Sequence, residues 1–336
     1  MVMFAFFPNR DQSSPTGGLI CAIPSLPYRL RDDILKAILI DDCGDSDCLR
    51  LSDAPDPVLG PGEVLVRVAA VAVNPADWKW RAGMFGAREL FRFPHIPGYD
   101  LSGTVIDGGL LPAGTRVAAM LDAVGQGAYA QYVACPVDRL AVLPETLDFQ
   151  RAAAIPTAGL IGAQLIEESL DVQPGMRVLI TGATGAVGRF AVHAAKARGA
   201  IVVGAVRESA RPTALSLGVD EVIGFDGEAE PIDMVADTVG GTGTAALLRR
   251  IACKAKIHTV ATDPVPAEGL LKPPRFFAVH PDASRLEALA RAVAEGIIPV
   301  PIARALPFSD ASLAHRLGES GGIEGKLILI PPELSD

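Results

Sequence analysis

Residues 176–207, Met176-Arg-Val-Leu-Ile-Thr-Gly-Ala-Thr-Gly-Ala-Val-Gly-Arg-Phe-Ala-Val-His-Ala-Ala-Lys-Ala-Arg-Gly-Ala-Ile-Val-Val-Gly-Ala-Val-Arg207, read as strand, glycine turn, helix and strand. Arg177–Thr181 is a short apolar run, the pattern of a strand buried on both faces. Gly182, Gly185 and Gly188 punctuate a turn. Small and apolar residues then take helical spacing from Val187 to Ala197, and Gly199 ends that helix. Ile201–Val206 is a second buried strand. A diphosphate needs backbone N–H groups at a helix N-terminus with no side chain in its path, and this βαβ unit offers that. Gly182, Ala183, Thr184, Gly185, Ala186 and Val187 are therefore the candidate phosphate-binding turn. Ala183 stands where the first glycine of Gly-x-Gly-x-x-Gly would stand. The alternative is a purely structural glycine turn, but the strand before and the helix after supply the context that the fingerprint requires.

The end of the second strand selects the cofactor. An acid there would accept hydrogen bonds from a ribose 2′-hydroxyl and favour NAD. Here Arg207 ends the strand and the first acid is Glu208. Arg207, with Arg211, can pair with a 2′-phosphate through a planar fork, which points to NADP(H). The alternative is a pair of solvated surface arginines.

The 336 residues suggest two domains at about 150 residues each. Hydrophobic residues make up 49% and charged residues 21%, enough for a sizeable core. A net charge of −9 with no basic tract argues against nucleic acid as a partner. No apolar run reaches the ~18 residues of a membrane span, and the apolar start is too short and lacks the basic flank of a signal peptide. The five cysteines, Cys21, Cys43, Cys48, Cys135 and Cys253, are scattered without zinc spacing, which suits reduced thiols in the cytoplasm.

Residues 1–34 show no sustained period and read as an N-terminal extension. Short strands at Leu35–Ile40, Glu63–Asn74, Leu101–Ile106, Thr115–Leu121 and Ala128–Val133 follow without helices between them, the pattern of a small antiparallel barrel. From Thr157 a helix leads into alternating strands and helices. Beyond the opening unit come strands at Glu221–Ile223, Asp233–Asp237, Lys256–Ala261 and Arg275–His280. Helices fall at Thr213–Leu217, Thr244–Arg250 and Ser284–Glu295. This alternation makes an α/β, doubly wound parallel sheet. A helix near Asp310–Ser320 and a strand Lys326–Ile330 return the chain to the first domain. The expected division is 35–155 with 299–336, and 156–298. Loops at the carboxyl ends of the parallel strands meet the ligand, so Thr238, Val239 and Gly240 are further candidates for the cofactor site.

Several motifs occur in order: Gly60-Pro-Gly-Glu-Val-Leu-Val66, Asn74-Pro-Ala-Asp-Trp-Lys79, Ile96-Pro-Gly-Tyr-Asp-Leu-Ser-Gly103, Gly127-Ala-Tyr-Ala-Gln-Tyr132 and Ala152-Ala-Ala-Ile-Pro156, then the nucleotide turn and Gly325-Lys-Leu-Ile-Leu329. Together they resemble the medium-chain dehydrogenase/reductase superfamily, and most of all its zinc-free quinone oxidoreductase and enoyl-reductase branch, over residues 35–332. The resemblance implies a GroES-like barrel, a Rossmann domain with NADPH in the cleft between them, and a homodimer through edge strands of the nucleotide sheet. It implies hydride transfer to an activated carbon–carbon double bond or a quinone as small-molecule substrate. Zinc-dependent relatives place a Cys near Ala76 and a Gly-His-Glu at Gly98-Tyr-Asp100. Neither Ala76 nor Tyr99 can be such a ligand, so no metal is expected. By the same resemblance Asn74 orients the nicotinamide, and Lys326 reaches the cofactor from the C-terminal segment unless it is a solvated charge.

Conjugate reduction needs a stabiliser for the developing enolate and a proton donor. Lys79 is the first candidate, its alternative being a surface lysine paired with Asp77, and Tyr99 is the second. Two further readings stay open. An enoyl-thioester reductase would use the positive charges of Trp78–Arg81 and Arg88–Arg92 for a phosphopantetheine arm, which a solvated face explains equally well. A non-catalytic NADPH sensor would bind without turnover.

Overall fold

The computed structural model describes residues 34–333 apart from 108, 123 and 253. All but the last residue of the expected N-terminal extension lies outside them, as do Cys21 and Cys253.

β1 (Ile34–Leu39) and β2 (Arg50–Pro55) form an antiparallel hairpin. β3 (Glu63–Val73) then starts a seven-stranded sheet. Its burial is nearly continuous, because it pairs with β4 (Asp100–Asp107) on one side and with β6 (Tyr132–Pro136) and the C-terminal strand on the other. Between β3 and β4 lie α1 (Pro75–Arg81) and the short α2 (Ala87–Leu90). β5 (Arg116–Met120) and β7 (Ala141–Val142) extend the sheet beyond β4. Ala128–Gln131, expected as strand, is instead pinned loop. The amides of Gly127 and Tyr129 donate to Ile96 and Pro97, and the ladder starts only at Tyr132.

α3 (Phe149–Ala153) and α4 (Pro156–Gln164) carry the chain into the second sheet, α4 continuing as a π turn, Leu165–Ser169. β8 (Arg177–Thr181), α5 (Ala186–Ala197), β9 (Ile201–Ala205), α6 (Arg211–Ser216) and β10 (Glu221–Ile223) build its first half. β11 (Met234–Asp237), α7 (Gly241–Ile251), β12 (Lys256–Thr259) and β13 (Arg275–Phe276) build the second. All pairs are parallel in the order β10-β9-β8-β11-β12-β13, so the strand order reverses between β8 and β11, where doubly wound sheets bind their ligands. β13 is shorter than its apolar run suggests. As the last strand it pairs with β12 at two residues only, and 277–280 leave the ladder.

After α8 (Ala283–Ala294) the chain returns through β14 (Ile302–Pro307), α9 (Ala311–Ser320) and β15 (Lys326–Ile330) to the first sheet. One apolar core spans the junction. Ala70, Ala118 and Ile328 of the first sheet pack with Ile155, Leu160, Phe190 and Leu289 from α4, α5 and α8. This shared core sets the glycine turn after β8 against the first sheet.

Candidate active site

The turn after β8 is built by close contacts. Gly182 has φ +63°, and a Cβ there would lie 2.8 Å from Val239 Cγ2. A Cβ on Gly188 would lie 2.1 Å from the Gly182 carbonyl oxygen, so only glycine lets α5 approach the turn. The Gly185 amide closes the turn on Gly182 O at 2.8 Å. Gly185 is also the N-cap of α5 and supplies no side-chain acceptor. The amides of Ala186, Val187 and Gly188 thus stand at a helix N-terminus without intrahelical partners. Together with the dipole of a twelve-residue helix they form an anion cradle.

Asp237, fully buried at the end of β11, braces the neighbouring loop. Its Oδ1 accepts from Thr181 Oγ1 at 2.6 Å and from the amides of Val239 and Gly240 at 3.1 Å each, and Oδ2 accepts from Thr259 Oγ1 at 2.6 Å. Thr238 Oγ1 donates to Thr181 O at 2.7 Å. Thr238, Val239 and Gly240 therefore adjoin the turn, with Val239 45% exposed. Arg207 is exposed just beyond β9, whereas Arg211 is held by Glu208 at 2.9 Å.

A buried polar cluster lies on the first-sheet side. Pro75 at the first position of α1 and Asp77 two residues on are helix-start signals. Asp77 Oδ2 accepts from the Asn74 amide at 2.6 Å. Asn74 Nδ2 donates to Asp100 Oδ2 at 3.0 Å, and Asn74 Oδ1 accepts from Lys326 Nζ. Asp100 Oδ1 accepts from the amide and hydroxyl of Thr157, at 3.0 and 2.6 Å, and so ties β4 to the start of α4. Tyr129 donates to Asp77 Oδ2 at 3.2 Å and lies 3.2 Å from His315 Nε2. Burial raises the Asp77 carboxyl to about 7, against the pull of the Asn74 amide. Burial raises Asp100 and lowers Lys326 as well, while each opposite charge restrains the other. His315 is pushed down to about 3 by burial and stays neutral.

Sequence reasoning left most of this cluster out. Lys326 is buried rather than solvated; its ammonium donates to Asn74 Oδ1, and the charges of Asp100 and Asp77 act on it. Asp100, Thr157 and Asp77 were not candidates for the site. The only signal was a pair of acids inside otherwise apolar motifs, Asn74-Pro-Ala-Asp77 and Ile96-Pro-Gly-Tyr-Asp100.

Lys79 is not paired with Asp77, which is bonded to Asn74 and Tyr129. It is half-buried, and desolvation lowers its pKa. The charge opposing that shift is Asp263, in the loop whose main chain meets Gly241 of the nucleotide domain, so Lys79 faces across the domain junction. α1 is clamped from behind by α9: buried Arg81 pairs with Glu319, and Trp78 meets the His315 ring edge-on at 6.5 Å. Tyr99 packs against the first-sheet core with its hydroxyl beside Trp80, and burial with Asp77 nearby raises its pKa well above that of a free phenol.

Two of the four basic residues in Trp78–Arg81 and Arg88–Arg92 are neutralised within the chain. Arg81 is the buried partner of Glu319, and Arg88 is held by both Asp42 oxygens at 2.6 and 2.7 Å. Ala76 and Tyr99 offer neither a thiolate nor an imidazole. Among the described residues no three His, Cys, Asp or Glu side chains are grouped so as to hold a metal, and no helix is long and apolar enough to cross a membrane.

The model of the alcohol dehydrogenase GroES-like domain matches residues 60–145, and that of the zinc-binding dehydrogenase family matches residues 217–329. The chain is 29% identical to a 2-methylene-furan-3-one reductase of Solanum lycopersicum, over 88% of this chain and 79% of that protein. It is also 29% identical to an NADPH-dependent alkenal/one oxidoreductase, chloroplastic, of Arabidopsis thaliana, over 96% of this chain and 84% of that protein. Among solved structures, the quinone oxidoreductase from Coxiella burnetii superposes with a TM-score of 0.78 at 28% identity, covering 88% of this chain and 99% of that one.

Proposed function

Because the chain belongs to the medium-chain dehydrogenase/reductase superfamily, and is thereby an NAD(P)-dependent oxidoreductase, we propose that it uses NADPH to reduce an electron-poor carbon–carbon double bond or a quinone without zinc. One juxtaposition carries this reading. The uncapped α5 amides stand on one side of the junction and Lys79 on the other, while Ala76 and Tyr99 stand where a metal's ligands would be. The names of two relatives, a 2-methylene-furan-3-one reductase and an alkenal/one oxidoreductase, describe alkenes conjugated to a carbonyl.

The turn residues 182–188 suit a dinucleotide, because the amides of Ala186, Val187 and Gly188 have no intrahelical partner and the Gly185 cap puts no side chain over them. When bound there, the reduced nicotinamide supplies a hydride. Asn74, fixed at both ends by Asp100 and Lys326, orients the nicotinamide side of the site. Lys79 stabilises negative charge on the substrate oxygen and delivers a proton to the α-carbon. Tyr99, protonated at neutral pH, is the second donor. Residues 238–240 border the dinucleotide, and the chain acts as a homodimer through the β13 edge.

NADPH oxidation should depend on an enone, an alkenal or a para-quinone and should ignore a chelator. Activity lost to the chelator would contradict the zinc-free assignment, and NADPH binding without turnover on any acceptor would point to a sensor. The enoyl-thioester reading is the weaker one, since Arg81 and Arg88 are occupied by Glu319 and Asp42.

Two substitutions test the residue roles. Lys79→Met should lower kcat about 10²-fold, the usual scale of a lost general acid, and leave NADPH affinity unchanged. The wild-type rate should fall as pH rises through the depressed Lys79 pKa, and that limb should vanish in the variant. Unaltered turnover would remove Lys79 from the mechanism. Arg207→Ala should reduce the preference for NADPH over NADH about tenfold, roughly 1.4 kcal/mol, as read from the two dissociation constants. An unchanged ratio would return Arg207 to the solvated surface.

A further inference from the structure

Arg189 lies on α5 immediately after the glycine turn and is only 7% exposed. Its guanidinium makes its hydrogen bonds to main-chain carbonyls. Nη2 donates to Thr184 O at 2.6 Å, Nε to Gly185 O at 3.3 Å, and Nη1 to Pro299 O. No carboxylate among the described residues offsets the charge, and burial alone acts on its pKa, downward. Arginine nevertheless keeps its proton in proteins. A buried cation without a counter-ion is costly, and an apolar side chain would fill the space more cheaply.

The acceptors explain its presence. Thr184 and Gly185 form the turn, and Pro299 begins the segment that crosses back to β14. In a trans peptide the C=O and the following N–H point in opposite directions. Holding Gly185 O from behind therefore aims the Ala186 amide toward the ligand side. Arg189 also lines a cavity of about 10 Å³ with Ala186, Pro301, Gly325 and Lys326, where the turn, the crossing segment and the Asn74 cluster meet.

We propose that Arg189 is a positioning residue for the cofactor diphosphate: it fixes the turn carbonyls inward and keeps a permanent positive charge behind the anion cradle. It acts through the turn, and the inference rests on the dinucleotide reading of residues 182–188.

The test is NADPH affinity, by titration calorimetry, of the wild type, Arg189→Met and Arg189→Lys, with thermal midpoints recorded alongside. Arg189→Met keeps the bulk and loses the charge, and NADPH should bind about 10- to 100-fold more weakly. Arg189→Lys keeps the charge and should stay within about fivefold of wild type. A methionine variant that binds as tightly as wild type, or a lysine variant that loses as much as the methionine one, overturns the proposal. If Arg189→Met does not fold, the lysine variant decides alone, and a loss beyond about tenfold counts against the charge. Absence of NADPH binding in the wild type would remove the dinucleotide reading itself, and this inference with it.

Discussion

Gly188→Val is expected to abolish measurable NADPH binding and to cost about 3 kcal/mol of stability. The Cβ of any other residue would sit 2.1 Å from Gly182 O and 2.8 Å from the Ala183 carbonyl carbon. Both are main-chain atoms, so no rotamer change relieves the overlap. Either α5 retreats from β8 or the turn opens. The first breaks the packing of Phe190 and Ala191 in two of the cores. The second removes the arrangement of amides that makes the cradle. Urea unfolding and NADPH titration read the two losses separately. A variant that binds NADPH within tenfold of wild type would show that the turn does not hold the dinucleotide.

Lys326→Met is expected to cost about 3–5 kcal/mol at pH 8, the range for leaving buried charge uncompensated. Lys326 is 6% exposed, and its ammonium is the cation acting on both buried carboxyls, Asp77 and Asp100. Its loss leaves two acids in an apolar site and frees Asn74 Oδ1. The deficit should depend on pH. The Asp77 carboxyl titrates at about 7 in the folded state, against an ordinary value of 3.8. Between those values the folded chain holds more protons than the unfolded chain, so stability falls as pH rises. Removing Lys326 raises the folded carboxyl pKa values further and steepens that fall. The gap between variant and wild type should therefore be smaller at pH 5 than at pH 8, measured as unfolding free energy. Equal gaps would mean that the ammonium is not what keeps these carboxyls ionised.

The contrast between these two sites explains what the sequence could disclose. The βαβ unit is local: an apolar run, three glycines and a helix stop lie within a few turns of chain, and each residue type has a steric reason visible in one dimension. β8 and β10 accordingly match their expected ranges, and the reversal of strand order follows from alternation. The buried cluster is non-local. Asn74, Asp100, Thr157 and Lys326 come from the cap of α1, β4, α4 and β15, and a lone Lys before an apolar strand reads as a solvated charge until the fold surrounds it. Lys79 shows the same limit: its nearest acid in sequence, Asp77, is not its partner, because the helix start claims that carboxylate. α1 breaks the expectation of strands without helices between them: Pro75 and Asp77 are helix-start signals, but the helix they open is only seven residues long. The π turn at Leu165–Ser169 and the pinned loop before β6 answer to contacts made elsewhere and carry no local signal.

The most direct test of conjugate hydride transfer is isotopic. The enzyme would be given NADPH deuterated at the transferable nicotinamide position together with a simple alkyl enone in ordinary water, and the product analysed by NMR. The expected product is the saturated ketone with deuterium on the β-carbon and a solvent-derived proton on the α-carbon. Deuterium on the former carbonyl carbon of an allylic alcohol would identify a carbonyl reductase instead and contradict the account.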